Sequence, residues 1–178
     1  MKRLGLLVPS SNTVMEPDFY RNLPSSVSLH TARMFLENTT VEGESRMLDE
    51  FTMPAARDVA TARPNAIIFG CTSAGALRGN AYDGWLCQTI TGQMGVPVVS
   101  VISSVRQALA KAGLKRVAVI TPYIDALNEK IKASLESDGI AVSSIHGMGI
   151  SENFAIGEVS PPAIVAFARK VVNPAEAE

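Results

Sequence analysis

Short apolar runs alternate with longer stretches whose apolar residues recur every three to four positions. Leu4-Gly5-Leu6-Leu7-Val8 and Ala66-Ile67-Ile68-Phe69 are nearly continuous apolar stretches, the pattern of strands buried on both faces. The patterning predicts strands over residues 4–8, 28–34, 66–69, 96–101, 116–121 and 140–146, and helices over 17–22, 41–62, 81–94, 103–112, 125–138 and 161–172. Ala112-Gly113 and Asp138-Gly139 read as helix ends. Ser160 before Pro161 reads as a cap followed by a first helical turn. Strand and helix alternate, which predicts an α/β fold of parallel strands covered by helices.

The pattern also repeats. Lys2-Arg3-Leu4-Gly5-Leu6-Leu7-Val8-Pro9 is echoed by Lys115-Arg116-Val117-Ala118-Val119-Ile120-Thr121-Pro122. Met34-Phe35-Leu36-Glu37-Asn38 is echoed, with one inserted residue, by Met148-Gly149-Ile150-Ser151-Glu152-Asn153. Matching order at two places predicts two pseudo-symmetric lobes with parallel four-stranded sheets, residues 1–113 and residues 114–178. Cys71 follows the strand over 66–69 in lobe one, and the same step from Pro122 runs past Glu178. The second lobe is therefore expected to be incomplete at its C-terminal end, with a sheet edge left unpaired.

Composition narrows the function classes. Sixteen basic residues face 17 acidic ones without a basic stripe, so nothing points to a nucleic-acid partner. No apolar run approaches the ~20 residues of a membrane span. The N-terminal apolar stretch is too short for a signal peptide and runs into a polar turn, so the expected location is the cytoplasm with both cysteines as reduced thiols. Two cysteines and two histidines, all far apart, give no metal-binding pattern.

Candidate chemistry lies in the turns after strands. Gly70-Cys71-Thr72-Ser73-Ala74-Gly75 delivers a cysteine at the carboxyl end of a buried strand, where open α/β sheets place their chemistry. Backbone N–H groups of such a turn can hold an anion or lower a thiol's pKa; a small buried hydrophobe ending a strand is the plain alternative. Pro9-Ser10-Ser11-Asn12-Thr13 offers hydroxyls and an amide for a carboxylate, and equally fits a capped polar loop. Tyr123, in Thr121-Pro122-Tyr123, is a donor or a rim aromatic. Asn153, in a loop after a strand, is a donor or a turn residue. Cys87 in Trp85-Leu86-Cys87-Gln88 reads as a packed helical cysteine. Gly147-Met148-Gly149 begins a dinucleotide pattern but has Glu152 in place of its third glycine.

Pro9-Ser10-Ser11-Asn12-Thr13 with Met15-Glu16, Gly70-Cys71-Thr72-Ser73-Ala74-Gly75, Thr121-Pro122-Tyr123 and the Asn153 loop resemble maleate cis-trans isomerases. These belong with arylmalonate decarboxylases in the aspartate/glutamate racemase superfamily. The resemblance implies two α/β lobes with the active site between them and no metal or organic cofactor. It implies Cys71 as nucleophile, with Asn12, Thr72, Ser73, Tyr123 and Asn153 binding the carboxylates of a small unsaturated dicarboxylate; the open sheet edge of the shortened lobe leads us to expect a homo-oligomer. Racemases more often carry Cys-Asn-Thr where this chain has Cys71-Thr72-Ser73, and the decarboxylases lack the lobe-one cysteine. The family's lobe-two cysteine is missing here. Three readings stand: an isomerase; a racemase or decarboxylase of a related acid; and a truncated or degenerate carboxylate-binding relative.

Overall fold

In the computed structural model, which describes residues 1–177, the first apolar run forms strand β1 (Lys2–Pro9), with Leu6, Leu7 and Val8 wholly buried. β1 lies between β2 (Val27–Met34) and β3 (Ala66–Phe69), and β4 (Val98–Ser100) pairs with β3. All pairings are parallel, giving a four-stranded sheet of order β2-β1-β3-β4. The register sets Pro9 beside Met34, Leu7 beside Phe69 and Phe69 beside Ser100. The turns after these strands therefore leave from one carboxyl edge, where parallel sheets take ligands. A second parallel sheet pairs β5 (Arg116–Thr121) with β6 (Ala141–Gly147). The other edge of β5 has no strand partner among the described residues. Beside it an apolar groove of about 430 Å³ is lined by residues that include Val117, Val119, Leu109 and Ile131.

Nine helices, described among residues 1–177, pack around the sheets: α1 (Met15–Asn22), α2 (Val41–Arg46), α3 (Thr52–Ala60), α4 (Thr72–Leu77), α5 (Asn80–Met94), α6 (Val101–Ala112), α7 (Asp125–Glu136), α8 (Asn153–Gly157) and α9 (Pro161–Val171). None is long and apolar enough to cross a membrane. The sheets meet through α4, whose small residues allow close approach. A Cβ on Gly75 would sit 2.7 Å from the Ile102 side chain. Ala76 of α4 and Ile102 of α6 share a buried cluster with Ile131 and Leu135 of α7 and Val142 of β6. Asn80 fixes the same contact, donating to the Ser134 carbonyl at 2.9 Å and accepting from the Ser134 hydroxyl at 2.6 Å.

The structure departs from the sequence expectations in four places. The single helix expected over residues 41–62 is interrupted by a π turn, Met47–Phe51. Pro54 has no N–H to give the carbonyl of Glu50, and its ring crowds that carbonyl; the wider turn just ahead takes up the mismatch. The Thr52 backbone N–H and hydroxyl both bond to the Met47 carbonyl there. Residues 72–77 and 153–157, expected as turn and loop, form α4 and α8. Both helices are too short for a periodic signal and contain glycine. β4 is confined to Val98–Ser100, because α6 begins at Val101 with Ser100 as its cap.

Gly147 ends β6 where the chain after β5 crosses it. A Cβ there would run into the Tyr123 carbonyl and the Asn128 side chain. Gly147→Ala is therefore expected to lower stability by about 1–3 kcal/mol, read as a reduced urea midpoint. An unchanged midpoint would show that this crossing is not tight.

Candidate active site

A cavity of about 450 Å³ opens at the carboxyl edge of the first sheet, against the turns that follow β5 and β6. Asn12, Cys71, Thr72, Ser73, Tyr123 and Asn153 all line it. The structure thus brings together the six residues that the resemblance implied for the site. Among the described residues no Lys, Arg, Asp or Glu lines this wall, so an anion in it would be met by neutral donors.

The turn after β1 is held from outside. Ser10 N–H bonds to the Met34 carbonyl at 2.7 Å, and Ser11 Oγ donates to the Leu36 carbonyl at 2.7 Å. Arg33, at the end of β2, donates to the carbonyls of Ser10 (2.8 Å) and Asn12 (3.0 Å) and pairs with Glu16. The Asn12 side-chain oxygen accepts from the N–H groups of Val14 and Met15, both at 3.0 Å. That leaves its NH₂ as the group it can present to a ligand.

Asn153 closes the opposite side. Its carbonyl oxygen accepts from Thr39 Oγ1 at 3.0 Å, and its amide nitrogen donates to Ser11 Oγ at 2.8 Å. The backbones around it pair too: Thr39 N–H bonds to Ser151 at 2.6 Å and Asn153 N–H to Glu37 at 3.0 Å, flanking an antiparallel bridge between Asn38 and Glu152. One amide N–H of Asn153 is left over. The segment Thr121-Pro122-Tyr123 is braced by the loop after β6, through Met148 N–H to Thr121, Ile150 N–H to Pro122 and Gly149 N–H to Tyr123. Burial raises the Tyr123 phenol pKa, aided by nearby Cys71 and Glu44, while the Ser73 and Thr72 hydroxyls partly oppose the rise. Tyr123 therefore carries its proton and can donate it.

Cys71 directly precedes α4 and is buried in the cavity wall. A turn rich in N–H groups was expected to lower its thiol pKa. The N–H groups of Ala74 and Ser73 do act in that direction, but burial and the Glu44 carboxylate outweigh them and push the thiol up to about 12. Cys87, half-buried on α5, is likewise pushed up to about 11, by burial first and then by Asp83. Low intrinsic acidity therefore does not separate the two cysteines; placement in the cavity does.

Glu44 is the residue the sequence did not reveal. It is wholly buried on α2, its pKa raised to about 7 by burial, against a hydrogen bond from Ser73 that acts the other way. Ser73 Oγ donates to Glu44 Oε1 and lies 3.8 Å from Cys71 Sγ; Glu44 Oε2 has no partner. In Val41-Glu42-Gly43-Glu44-Ser45-Arg46 this carboxylate looks like one more charge on an exposed helix. The available signal is its offset. Thr40 caps the helix by accepting from Gly43 N–H, and Gly43 occupies the place of a capping-box glutamate. Gly43 also packs against the Asn38 carbonyl, where a side chain would clash. Arg33 and Thr39 were missed as well, because they act on the loops and not on the cavity.

A family model described as arylmalonate decarboxylase matches residues 4–178. A maleate isomerase of Alcaligenes faecalis is 26% identical over 95% of this chain and 72% of its own length. The structure of the Nocardia farcinica maleate cis-trans isomerase bound to TRIS superposes with a TM-score of 0.92 at 26% identity, covering 99% of this chain and 75% of that one. A cysteine-to-serine mutant of the Nocardia farcinica enzyme, with a covalently bound succinylcysteine intermediate, superposes with a TM-score of 0.86, at the same identity and coverage.

The raised pKa of Glu44 sets a pH dependence of stability. Between the ordinary carboxylate value and about 7, folded Glu44 holds a proton that the unfolded chain has released. Stability is lost as pH rises through that window, by on the order of 3 kcal/mol. Glu44→Gln is expected to gain on the wild type by that amount between about pH 5 and about pH 8 in urea unfolding. A stability difference that stays constant across that range would contradict the raised pKa.

Proposed function

The chain belongs to the arylmalonate decarboxylase family, and from that premise we propose that it is a cofactor-independent cis-trans isomerase acting on maleate, with Cys71 as nucleophile. The observation that carries this reading is a thiol at the end of β3, in a wall of neutral donors built from the turns of both sheets. The organisation proposed is a lobe of residues 1–113 facing one of residues 114–178. The relatives reported above support the reaction class, since they are themselves maleate isomerases by name: the Alcaligenes faecalis protein and the Nocardia farcinica enzyme.

Isomerising maleate requires the C2–C3 double bond to become single for a time. The Cys71 thiolate adds its electron pair to C2, and the π electrons move to C3. A proton taken up at C3 from solvent at the open mouth of the cavity, and returned there in the last step, gives a succinylcysteine, the species held in the Nocardia farcinica mutant. Rotation about C2–C3 separates the two carboxylates. Loss of the C3 proton then re-forms the double bond in the trans arrangement and expels the thiolate. This is covalent catalysis: one difficult step becomes two easier ones.

Neutral donors suit this substrate. A fixed cation would bind maleate and fumarate alike and so spend its attraction on the ground state. The Asn12 NH₂, the hydroxyls of Thr72 and Tyr123 and the remaining Asn153 N–H can each hold a carboxylate oxygen. Each such charge-assisted bond contributes about 1.5–3 kcal/mol. Ser73 stands apart from this group, because its hydroxyl is committed to Glu44. A decarboxylase or racemase reading leaves Cys71 without the addition step.

Proton NMR of maleate with the purified chain should show fumarate appearing, and Cys71→Ser should lower that rate by at least about 10³-fold. Asn12→Ala should raise KM by about tenfold or more, with Cys71 still required, as loss of one charge-assisted bond dictates. Turnover that survives Cys71→Ser would refute the nucleophile assignment.

A further inference from the structure

We propose that Glu44 is the proton acceptor for the Cys71 thiol, acting through the Ser73 hydroxyl as a positioning residue. This deepens the proposed function and rests on its reading of Cys71 as the nucleophile.

The geometry is a three-member chain behind the cavity wall. Ser73 Oγ donates to Glu44 Oε1, and Cys71 Sγ lies 3.8 Å from the same Oγ, so the thiol can donate where the hydroxyl accepts. Ser73 and Glu44 are both cut off from solvent, at 1% and 0% exposure. Bulk water therefore reaches neither Ser73 nor Glu44. A buried carboxylate without a cationic partner costs stability. Among the described residues Glu44 pairs with no cation, and its second oxygen has no hydrogen-bond partner. A chain selected only for stability would carry a glutamine or an apolar residue here.

The transfer balances within the protein. The S–H bond of Cys71 breaks and its proton passes to Ser73 Oγ. The proton originally on Ser73 passes to Glu44 Oε1. The products are a Cys71 thiolate, an unchanged Ser73 hydroxyl and a neutral Glu44 acid. The buried site carries one negative charge before and after, so no charge is added to a low-dielectric interior. Ionised Glu44 opposes a neighbouring thiolate; once it has taken the proton, that opposition is gone. The reverse transfer re-protonates Cys71 after the thiolate is expelled.

The groups around Glu44 do not duplicate this role. Cys71 and Tyr123 are the titratable side chains that feel its charge, and both have raised pKa values. Arg46 and Glu42 on its own helix face outward, and Arg46 pairs with Glu50 of the π turn. Asp49 of that turn pairs with Arg78 at the end of α4. Glu44 therefore titrates near 7 and is the group whose ionisation can be read there.

The test is the rate of Cys71 alkylation by iodoacetamide, followed by peptide mass spectrometry across pH values that bracket about 7. In the wild type the rate should rise through about pH 7 and level off. Glu44→Gln, close in shape, should lose that step and react about 10²-fold more slowly above it. Ser73→Ala, which keeps the carboxylate but cuts the chain, should lose it too, and serves if Glu44→Gln fails to fold by circular dichroism. Alkylation in Glu44→Gln as fast as in the wild type, or faster, is what loss of a merely repelling charge gives and would overturn the proposal. A step retained in Ser73→Ala would overturn it equally. The assay uses no substrate. If Cys71→Ser retains maleate turnover while the alkylation step depends on Glu44, the nucleophile reading fails and the relay stands.

Discussion

The arrangement depends on one side-chain amide. Asn153 accepts from Thr39 with its oxygen and donates to Ser11 with its nitrogen, between a loop of the second sheet and two loops of the first. Its own N–H completes an antiparallel pairing with Glu37, opposite the pairing of Thr39 with Ser151. That tie joins the loop after β6 to the turns after β1 and β2, which Ser10 and Ser11 already hold to each other. Each bond is worth only about 1 kcal/mol. Their value lies in position, since a reacting carbon must be held within about 3–3.5 Å of the sulfur that attacks it. The cavity lies where the turns at the carboxyl edge of the first sheet face the turns after β5 and β6, and Asn153 ties those turns together.

Electrostatics gives the site its second constraint. Among the described residues the cavity wall has no charged side chain, yet a fully buried carboxylate lies one hydroxyl behind the thiol. Such an arrangement is costly, and the cost appears as raised pKa values on Glu44, Cys71 and Tyr123. Strongly shifted groups gathered in one cleft are a feature of chemical sites. Here a single negative charge can reside on either carboxylate or sulfur. The apolar setting that discourages both charges also strengthens whichever bonds the bound carboxylates make.

Much of this was legible in the residues because β1 and β3, the central strands of the first sheet, are largely buried. Near-continuous apolar runs such as Leu4–Val8 leave little ambiguity, and the echo of Lys2–Pro9 at Lys115–Pro122 marked β5 as a counterpart of β1. The turns that follow buried parallel strands collect at one edge, so Asn12, Cys71, Tyr123 and Asn153 could be grouped without knowing any distance. What stayed hidden depended on tertiary detail. Glu44 carries no local mark of burial; only the packing of α2 on α4 turns it inward. The direction of the Cys71 pKa was misjudged because the turn's N–H groups are visible in the sequence and the burial is not. Helices α4 and α8 were too short to show a period, and the break at Met47–Phe51 reflects a conflict between Pro54 and an otherwise good helix.

The central claim is that Cys71 forms a bond to carbon of an unsaturated diacid. It is tested most directly by quenching the protein with acid during incubation with maleate and mapping the modified peptide by mass spectrometry. A mass gain of one maleate is expected on the peptide that carries Cys71, absent in Cys71→Ser. An adduct on the Cys87 peptide, or fumarate formation with no adduct on Cys71, would contradict it.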